Sequence, residues 1–465
     1  MKAFLNLLTR HPLSLAGTSI ATVAALLFLT FLALDLFGFH GHPYVGILAY
    51  LIVPALFALG LVLIPIGLRR ARLRKAPAGE LFPILDFNQP NVRNRFVVFL
   101  ALTAINLVIV AVASLKTVEV MDTTAFCGTA CHSVMAPEHT AFERGAHASV
   151  RCVDCHIGPG AGWFVKSKLS GSWQLVSVAL DLYPTPIPTP VHNLRPARDT
   201  CEQCHWPQKF VGDRLKVITR FDEDEANTER KSVLLMRVGG ITGRESMGIH
   251  WHVDPANAIR YRSDETREEI HEVELKRPDG SLERWLAPGA DAGEMATQGE
   301  WRSMDCVDCH NRPSHTFRLP EVELDLAIET GHIARDLPFV RREGLRLMRA
   351  EYADRDTARA ALRDGLKAFY AGSYPELAIS RAAEIDTAAE ALWEGWSANV
   401  FPNMKVTWGT YPNHIGHEQT PGCFRCHDDL HSTASGAAIS QDCDTCHSLL
   451  AMEEVDPEIL RTLSP

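Results

Sequence analysis

Six pairs of cysteines, each separated by two or three residues, are followed at once by histidine. They are Cys127/Cys131–His132, Cys152/Cys155–His156, Cys201/Cys204–His205, Cys306/Cys309–His310, Cys423/Cys426–His427 and Cys443/Cys446–His447. Together they use all 12 cysteines of the 465-residue chain. Five have the spacing C-x-x-C-H, at which two thiols form thioethers to a porphyrin and the histidine binds its iron. The first, CGTACH, carries one more residue, which a bulge in the loop absorbs while both sulfurs still reach the macrocycle. A structural zinc site takes four ligands from two pairs and has no use for histidine directly after each second cysteine. A redox dithiol occurs once in a domain, not six times. The pattern predicts six c-type haems.

Six irons have room for six further axial ligands. The chain has 20 histidines, and after residue 116 eleven of them lie outside the motifs. His147 precedes motif two, and His192 closes a proline-rich stretch. His250 and His252 form an H-W-H pair in a segment without cysteine. His315 follows motif four, His414 and His417 precede motif five, and His431 lies between the last two motifs. These eight are the candidate distal ligands, with His315 and His431 foremost, while His139, His271 and His332 read as ordinary surface or packing residues. At the first motif two readings stay open. His132 binds iron and Met135 packs, or the bulge turns His132 away and Met135, three residues on, binds instead. Methionine ligation raises the potential relative to two histidines, which suits an acceptor of electrons from quinol.

The elements that must position these motifs begin with an anchor, residues 1–116. Apolar runs at Leu13–Phe39, Tyr44–Leu68 and Phe96–Leu115 each have about the 20 residues needed to span a bilayer. The first is too long for a cleaved signal peptide and lacks a small-residue cleavage site. The loop 69–95 contains seven Lys/Arg and the N-terminus has Lys2 and Arg10, whereas the GFHGHP turn has none. Positive residues stay inside, so the loop is cytoplasmic and everything after Leu115 emerges on the outer face. Haem attachment takes place outside the bacterial inner membrane, so the two arguments give one topology, with the haem region in the periplasm. Asp35, near His40 and His42 at the outer end of span one, is either a functional acid or an interfacial residue reaching water.

Beyond the anchor, residues 117–219 hold motifs one to three. AGWFVKSKLSGSWQLVSVALDLY reads as an amphipathic helix whose Trp163, Phe164, Leu169 and Trp173 either lie on the membrane or pack around haem. Prolines 184, 186, 188, 190 and 196 mark an extended spacer. Residues 220–300 alternate and turn at PDG, the pattern of short strands. Residues 301–465 hold motifs four to six around a helical insert, 320–398. The fold class is thus a membrane-anchored multihaem cytochrome c, mainly α and irregular around its haems, with three N-terminal transmembrane helices and a small β-rich insertion. The formal charge of −10, made more negative by haem propionates, sets nucleic acid aside and favours a partner with a cationic face.

The run CHSVMAPEHTAFERGAHASVRCVDCHIGPGAGWFVKSKLSGSW…CEQCH resembles the NapC/NirT family of membrane-anchored multihaem quinol dehydrogenases over about Thr117–Pro207. The whole layout, with PIPTPVHNLRPARDTCEQCHWP, GIHWHVDP and CVDCHNRPSHTF, looks like the larger inner-membrane quinol oxidases of metal-respiring bacteria, the ImcH type. The resemblance implies menaquinol oxidation at the first haem, with Met135 matching the family's unusual ligand and Lys166 or Lys168 its quinol-site lysine. The acidic partner of that lysine is absent at the family's spacing, and Asp181 is the nearest later carboxylate. Three spans in place of one, six haems in place of four and the longer first motif also depart from the family. The implied partners are the membrane quinol pool, the lipid bilayer and periplasmic cytochromes or a terminal reductase; nothing opposes a homo-oligomer. Two rivals use the same parts: a passive relay without a quinone site, and a quinone reductase running in reverse. A substrate-reducing enzyme would need an open iron position, which the surplus of histidines argues against.

Overall fold

The computed structural model describes residues 12–36, 48–73, 86–130, 132–158, 160–191, 194–206, 209, 212–242, 245–254, 256–290 and 299–463. It divides into two compact units, Met1–Met135 with Arg151–Val153, and Ala136–Val150 with Asp154–Pro465.

The first unit is built on three apolar helices: α1 (Pro12–Leu36), α2 (Val53–Leu73) and α3 (Pro90–Met121). All three are long and apolar enough to cross a membrane. Their bounds differ from the hydropathy reading at the ends. The second span was read from Tyr44, but its α-helix begins only at Val53, after a π-turn over Leu48–Ile52, and continues through Arg69, Arg70 and Arg72. The third starts at Pro90, where the missing N–H costs nothing, and runs past Leu115 to Met121. At 1.5 Å per residue it is about 48 Å long, more than the roughly 30 Å of a hydrocarbon core. Most of the chain between Leu115 and Cys127 is thus helical. His40 and His42 lie outside the described residues, as does the side chain of Asp35.

Helices α1 and α2 meet along small residues, as apolar solvent demands when there is no hydrophobic gain from pairing. A Cβ on Gly17 would stand 2.8 Å from the Gly60 carbonyl oxygen, and one on Gly60 would stand 2.7 Å from the Ala21 amide nitrogen. Gly67 backs onto Ser14 in the same way. Ala24, Phe28, Val53, Phe57 and Ala113 complete the buried seam, which α3 joins through its C-terminal half. Gly60→Leu is expected to force the pair apart at a cost of about 1–3 kcal/mol, read as a lower thermal unfolding temperature in mild detergent.

Helix α4 (His132–Glu143) starts within the first unit and continues in the second, where α5 (Ala161–Ala179) precedes nine short strands among the described residues. Strands β1 (Arg214–Phe221) and β2 (Glu229–Met236) pair antiparallel, and β3 (Gly240–Thr242) with β4 (Glu245–Met247) forms a two-stranded ribbon. A four-stranded antiparallel sheet follows, built from β5 (Ala258–Ser263), β6 (Ile270–Lys276), β7 (Leu282–Leu286) and β8 (Arg302–Ser303) in the order β7-β6-β5-β8. The hairpin read from the PDG turn is there: Arg277 N–H donates to the Ser281 carbonyl at 2.9 Å, with Gly280 at φ +86°. One strand was not foreseen. β9 (His447–Glu454) starts at the histidine of motif six and pairs with β2, Met236 opposite His447.

Period-two alternation gives the four-stranded sheet two unlike faces. Ile259, Tyr261, Val273 and Leu275 are buried with Trp251, Met304 and Cys426, so this face backs the haem motifs. The other face carries Arg260, Arg262, Glu272, Glu274 and Arg284, with the three guanidinium groups 4.5–5.9 Å from the centre of the Trp301 ring.

The helical insert comprises α6 (Pro320–Glu329), α7 (Val340–Met348), α8 (Arg355–Ser373) and α9 (Ala382–Asn399). Asp354 caps α8 by accepting from the Thr357 amide at 2.7 Å. Its residues 358, 362, 366 and 370 repeat every four positions and are all fully buried against α7 and α9. Buried Glu323 ties the insert to the haem-bearing chain: it accepts two bonds from Arg144, at 2.9 and 2.8 Å, and one from Asn399 at 3.0 Å.

Candidate haem sites

Each motif is a short turn that carries two sulfurs and a histidine. Motif four is a single helical turn, Cys306–Cys309, closed by a reciprocal capping box between Asp305 and Asp308. Motifs five and six use 3₁₀ turns, Gly422–Arg425 and Cys443–Thr445, and motif one a π-turn, Phe126–Ala130. Eleven cysteines are among the described residues, and none of them is in a disulfide.

In motifs two, three and six the two sulfurs are not equally enclosed. Cys155 in motif two and Cys204 in motif three are exposed, whereas their partners Cys152 and Cys201 are half-buried. Motif two is one helical turn, Cys152–His156, whose buried side chain is Val153. At 3.6 residues per turn, positions 152 and 155 point about 60° apart, so packing on the Val153 side reaches the first sulfur and leaves Cys155 at the surface. In motif three, Cys201 ends the short helix Ala197–Cys201, and Cys204 lies beyond it in the open turn. Cys443 of motif six is exposed in the same way, beside half-buried Cys446.

Burial pushes the Cys309 thiol up to about 11 and that of Cys426 to about 12, so both stay protonated near neutrality. The sulfurs of neighbouring motifs are close. Cys201 and Cys306 share a hydrogen bond, which raises the Cys306 thiol. Burial comes first for Cys309 and Cys446, and the neighbouring Cys423 then raises both. Motifs three, four, five and six form one contiguous series.

Five of the motif histidines face a second histidine. The ring centres of His156 and His315 are 6.1 Å apart, those of His205 and His147 6.0 Å, and those of His310 and His250 6.5 Å. His427 and His252 stand 5.7 Å apart, and His447 and His417 6.2 Å. Metal–nitrogen bonds of about 2 Å on both sides of one ion put two imidazole centres roughly 6 Å apart. The spacing therefore fits one iron between each pair. The ring nitrogens agree. His147 Nδ1 bonds the Pro313 carbonyl at 3.1 Å, His250 Nδ1 that of Val238 at 3.1 Å, His252 Nδ1 that of Ile249 at 2.8 Å and His315 Nδ1 that of Glu138 at 2.9 Å. A carbonyl only accepts, so Nδ1 carries the proton and the lone pair lies on Nε2, the tautomer a metal ligand needs. Burial, followed by the neighbouring histidines, holds His310 below its usual range, and burial is also the leading cause for His156, His252 and His447.

The pairs interlock. His147 stands just before motif two yet faces motif three; His315 stands just after motif four yet faces motif two. His417 precedes motif five and faces motif six, while the 3₁₀ turn Ile249–Val253 gives His250 to motif four and His252 to motif five.

Two candidates are placed otherwise than the sequence suggested. His414 is buried with Nε2 bonded to the Glu268 carboxylate at 2.8 Å and Nδ1 to the Asp308 carbonyl at 3.3 Å. His431, read as a foremost ligand, is buried with Nδ1 on Asp428 at 2.9 Å and Nε2 on the Ile270 carbonyl at 2.9 Å. With both nitrogens bonded to protein, these rings brace loops and have no lone pair for iron. His192 and Cys131 lie outside the described residues, and of His132 only the backbone is described. Met135 is half-buried on the first turn of α4.

Helix α5 displays Val165, Leu169, Trp173, Val176 and Leu180 on one exposed stripe, Leu169 at 70% and Trp173 at 63%. Of the four residues read as its apolar face, Leu169 and Trp173 belong to that stripe. Trp163 is half-buried under the Lys166 ammonium, 4.8 Å from the ring centre, and the side chain of Phe164 is outside the described set. Lys166 is exposed on one flank of the stripe and Lys168 half-buried on the other. Two positions apart at about 100° per residue, they do not face the same way. Asp181 follows in the turn that ends the helix, at φ +52°.

Comparison with known proteins bears on the same residues. A model of the NapC/NirT cytochrome c family, N-terminal region, matches residues 89–186. The chain is 42% identical over 449 residues to the cytochrome c-type protein ImcH of Geobacter sulfurreducens, across 95% of this chain and 88% of that protein. No solved structure matches.

Proposed function

Because this chain belongs to the NapC/NirT family of c-type cytochromes, of the ImcH kind, we propose that it is an inner-membrane hexahaem quinol dehydrogenase, oxidising menaquinol and delivering electrons to periplasmic redox partners. That it is a membrane-anchored, electron-transferring cytochrome with covalent haem c follows from the family and from the three apolar helices. The observation that carries the finer reading is the run from α3 into the first motif: a helix long enough to leave the bilayer, then Cys127, His132 and Met135.

Haem, when attached, supplies the one-electron carriers that quinol oxidation requires. The chain supplies the rest. The twelve cysteines would fix the groups, and the pairs His156/His315, His205/His147, His310/His250, His427/His252 and His447/His417 would supply their iron ligands. His132 and Met135 are the candidates at the first site, with His192 as a further donor. Quinol gives up two protons with its two electrons. Lys166 or Lys168 donates a hydrogen bond to a quinol oxygen; the two electrons would pass one at a time to the haem chain, and the two protons would leave in turn through Asp181 to water on the periplasmic side. The exposed apolar stripe of α5 suits a helix lying in the bilayer interface, where quinol resides.

The test is reduction of the purified protein by a menaquinol analogue. Met135→Ala and one of the two lysine-to-alanine variants are expected to slow reduction about ten- to a hundredfold, the worth of a charge-assisted contact. Dithionite should still reduce every variant. Wild-type rates throughout would leave a passive relay. Quinone reduction driven from the periplasmic side, with no forward rate, would mean the opposite direction of flow.

A further inference from the structure

We propose that Glu138 is a positioning residue for the second haem site, seating His315 and placing a fixed negative charge behind it that lowers the potential of that haem. The inference rests on His315 being the partner of His156. Glu138 seats His315 through one hydrogen bond and sets its carboxylate beside the same ring nitrogen. Its backbone carbonyl accepts from Nδ1 at 2.9 Å, and its carboxylate Oε2 lies 3.4 Å from the same nitrogen. Arg312 fixes the carboxylate in turn, with Nη1 3.3 Å from both oxygens. The guanidinium is itself clamped, 3.9 Å from the centre of the Tyr411 ring and 5.5 Å from that of Phe317. The Arg312 and Glu138 side chains are only 7% and 14% exposed, so water and salt screen them little.

A carboxylate behind the N–H of a ligating imidazole makes the ring a stronger donor and stabilises the more positive, oxidised metal. Glu138 is thus the outer ligand of motif two, yet it stands three residues after Met135 on α4, the helix that begins at the first motif. Any movement of this helix would change the hold on His315. Arg312, three residues before His315, keeps the carboxylate from swinging to solvent.

The experiment is a spectroscopic redox titration of the purified haem-loaded protein carrying Glu138→Gln, Glu138→Asp or His315→Met. Glu138→Gln is expected to shift one of the titrating components at least tenfold toward reduction, 59 mV upward for one electron, with low-spin ligation unchanged. Glu138→Asp, which keeps the charge, should return most of that shift. If the Gln variant does not accumulate, the Asp variant alone should show a smaller upward shift. Titration curves that superimpose on wild type, while His315→Met alters one haem's ligand signature, would overturn the role of Glu138 and leave the pairing standing. A His315→Met spectrum identical to wild type would overturn the pairing itself.

Discussion

The His250→Ala/His252→Ala double variant is expected to retain its covalent haem but to lose about a third of its low-spin signal, and to bind carbon monoxide when reduced. Each single variant should show about half that effect, since one turn serves two irons. The geometry is that of a 3₁₀ helix, at three residues per turn, so positions 250 and 252 point about 120° apart. Trp251 between them is packed into the face of the four-stranded sheet with Tyr261 and Val273. Gly248 opens the turn at φ +76°, and a Cβ there would run into the Arg237 carbonyl oxygen. Both imidazoles are thus seated by backbone that the sheet holds still. An unchanged low-spin spectrum in the double variant would remove the assignment of motifs four and five. Gly248→Ala offers a milder test: strain at the turn should broaden both ligand signatures without deleting either histidine.

The candidate attachment cysteines and the histidines beside them stand out in the sequence because attachment chemistry is local. Two sulfurs and a nitrogen must meet one planar group within six residues, and only a few spacings allow it. What the spacing could not show is how far the fold encloses each sulfur: Cys155 and Cys204 stand at the surface while Cys309 and Cys426 are deep enough for burial to raise their thiols. The distal ligands follow no local rule at all. His315 meets His156 across some 160 positions, and only the fold decides that it serves motif two when it sits beside motif four. Proximity in sequence is no guide to the pairing: His147, His315 and His417 each pass over the nearest motif for another. His431 seemed well placed between two motifs, but Asp428, three residues earlier, takes one nitrogen and the Ile270 carbonyl the other. An acid at that spacing was the available signal. The H-W-H pair marked the cysteine-free segment 220–300 as a source of two candidate ligands, but not that its sheet would wall the turns of motifs four and five. The pairing of β9 with β2 had no signature either, since HSLLAMEE does not alternate cleanly.

The pentapeptide CVDCH occurs twice, and its aspartate is expected to matter very differently in the two copies. Asp308, in motif four, has its side chain 2% exposed and accepts from the Tyr261 hydroxyl at 2.6 Å, the Arg302 Nε at 2.9 Å and the Asp305 amide at 2.6 Å. It fastens the attachment turn to β5 and β8 at once. Burial first, and then the charge of Asp308, hold the Tyr261 phenol well above the usual range. Asp308→Ala leaves a guanidinium and a phenol without their acceptor in a buried site, at a cost of about 3–5 kcal/mol. Denaturant unfolding of the haem-loaded protein measures that loss. Asp308→Asn keeps Oδ1 as the acceptor for Tyr261 and Arg302, loses the one for the Asp305 amide, and should fall between. Because motif four must present both thiols together, a loosened turn should also appear as a fraction of chains lacking one porphyrin by intact mass. Asp154, at the same place in motif two, is only half-buried, and Asp154→Ala should cost less on both measures. Equal losses at the two sites would mean that the pentapeptide itself, not the sheet behind it, sets the stability of the attachment turn.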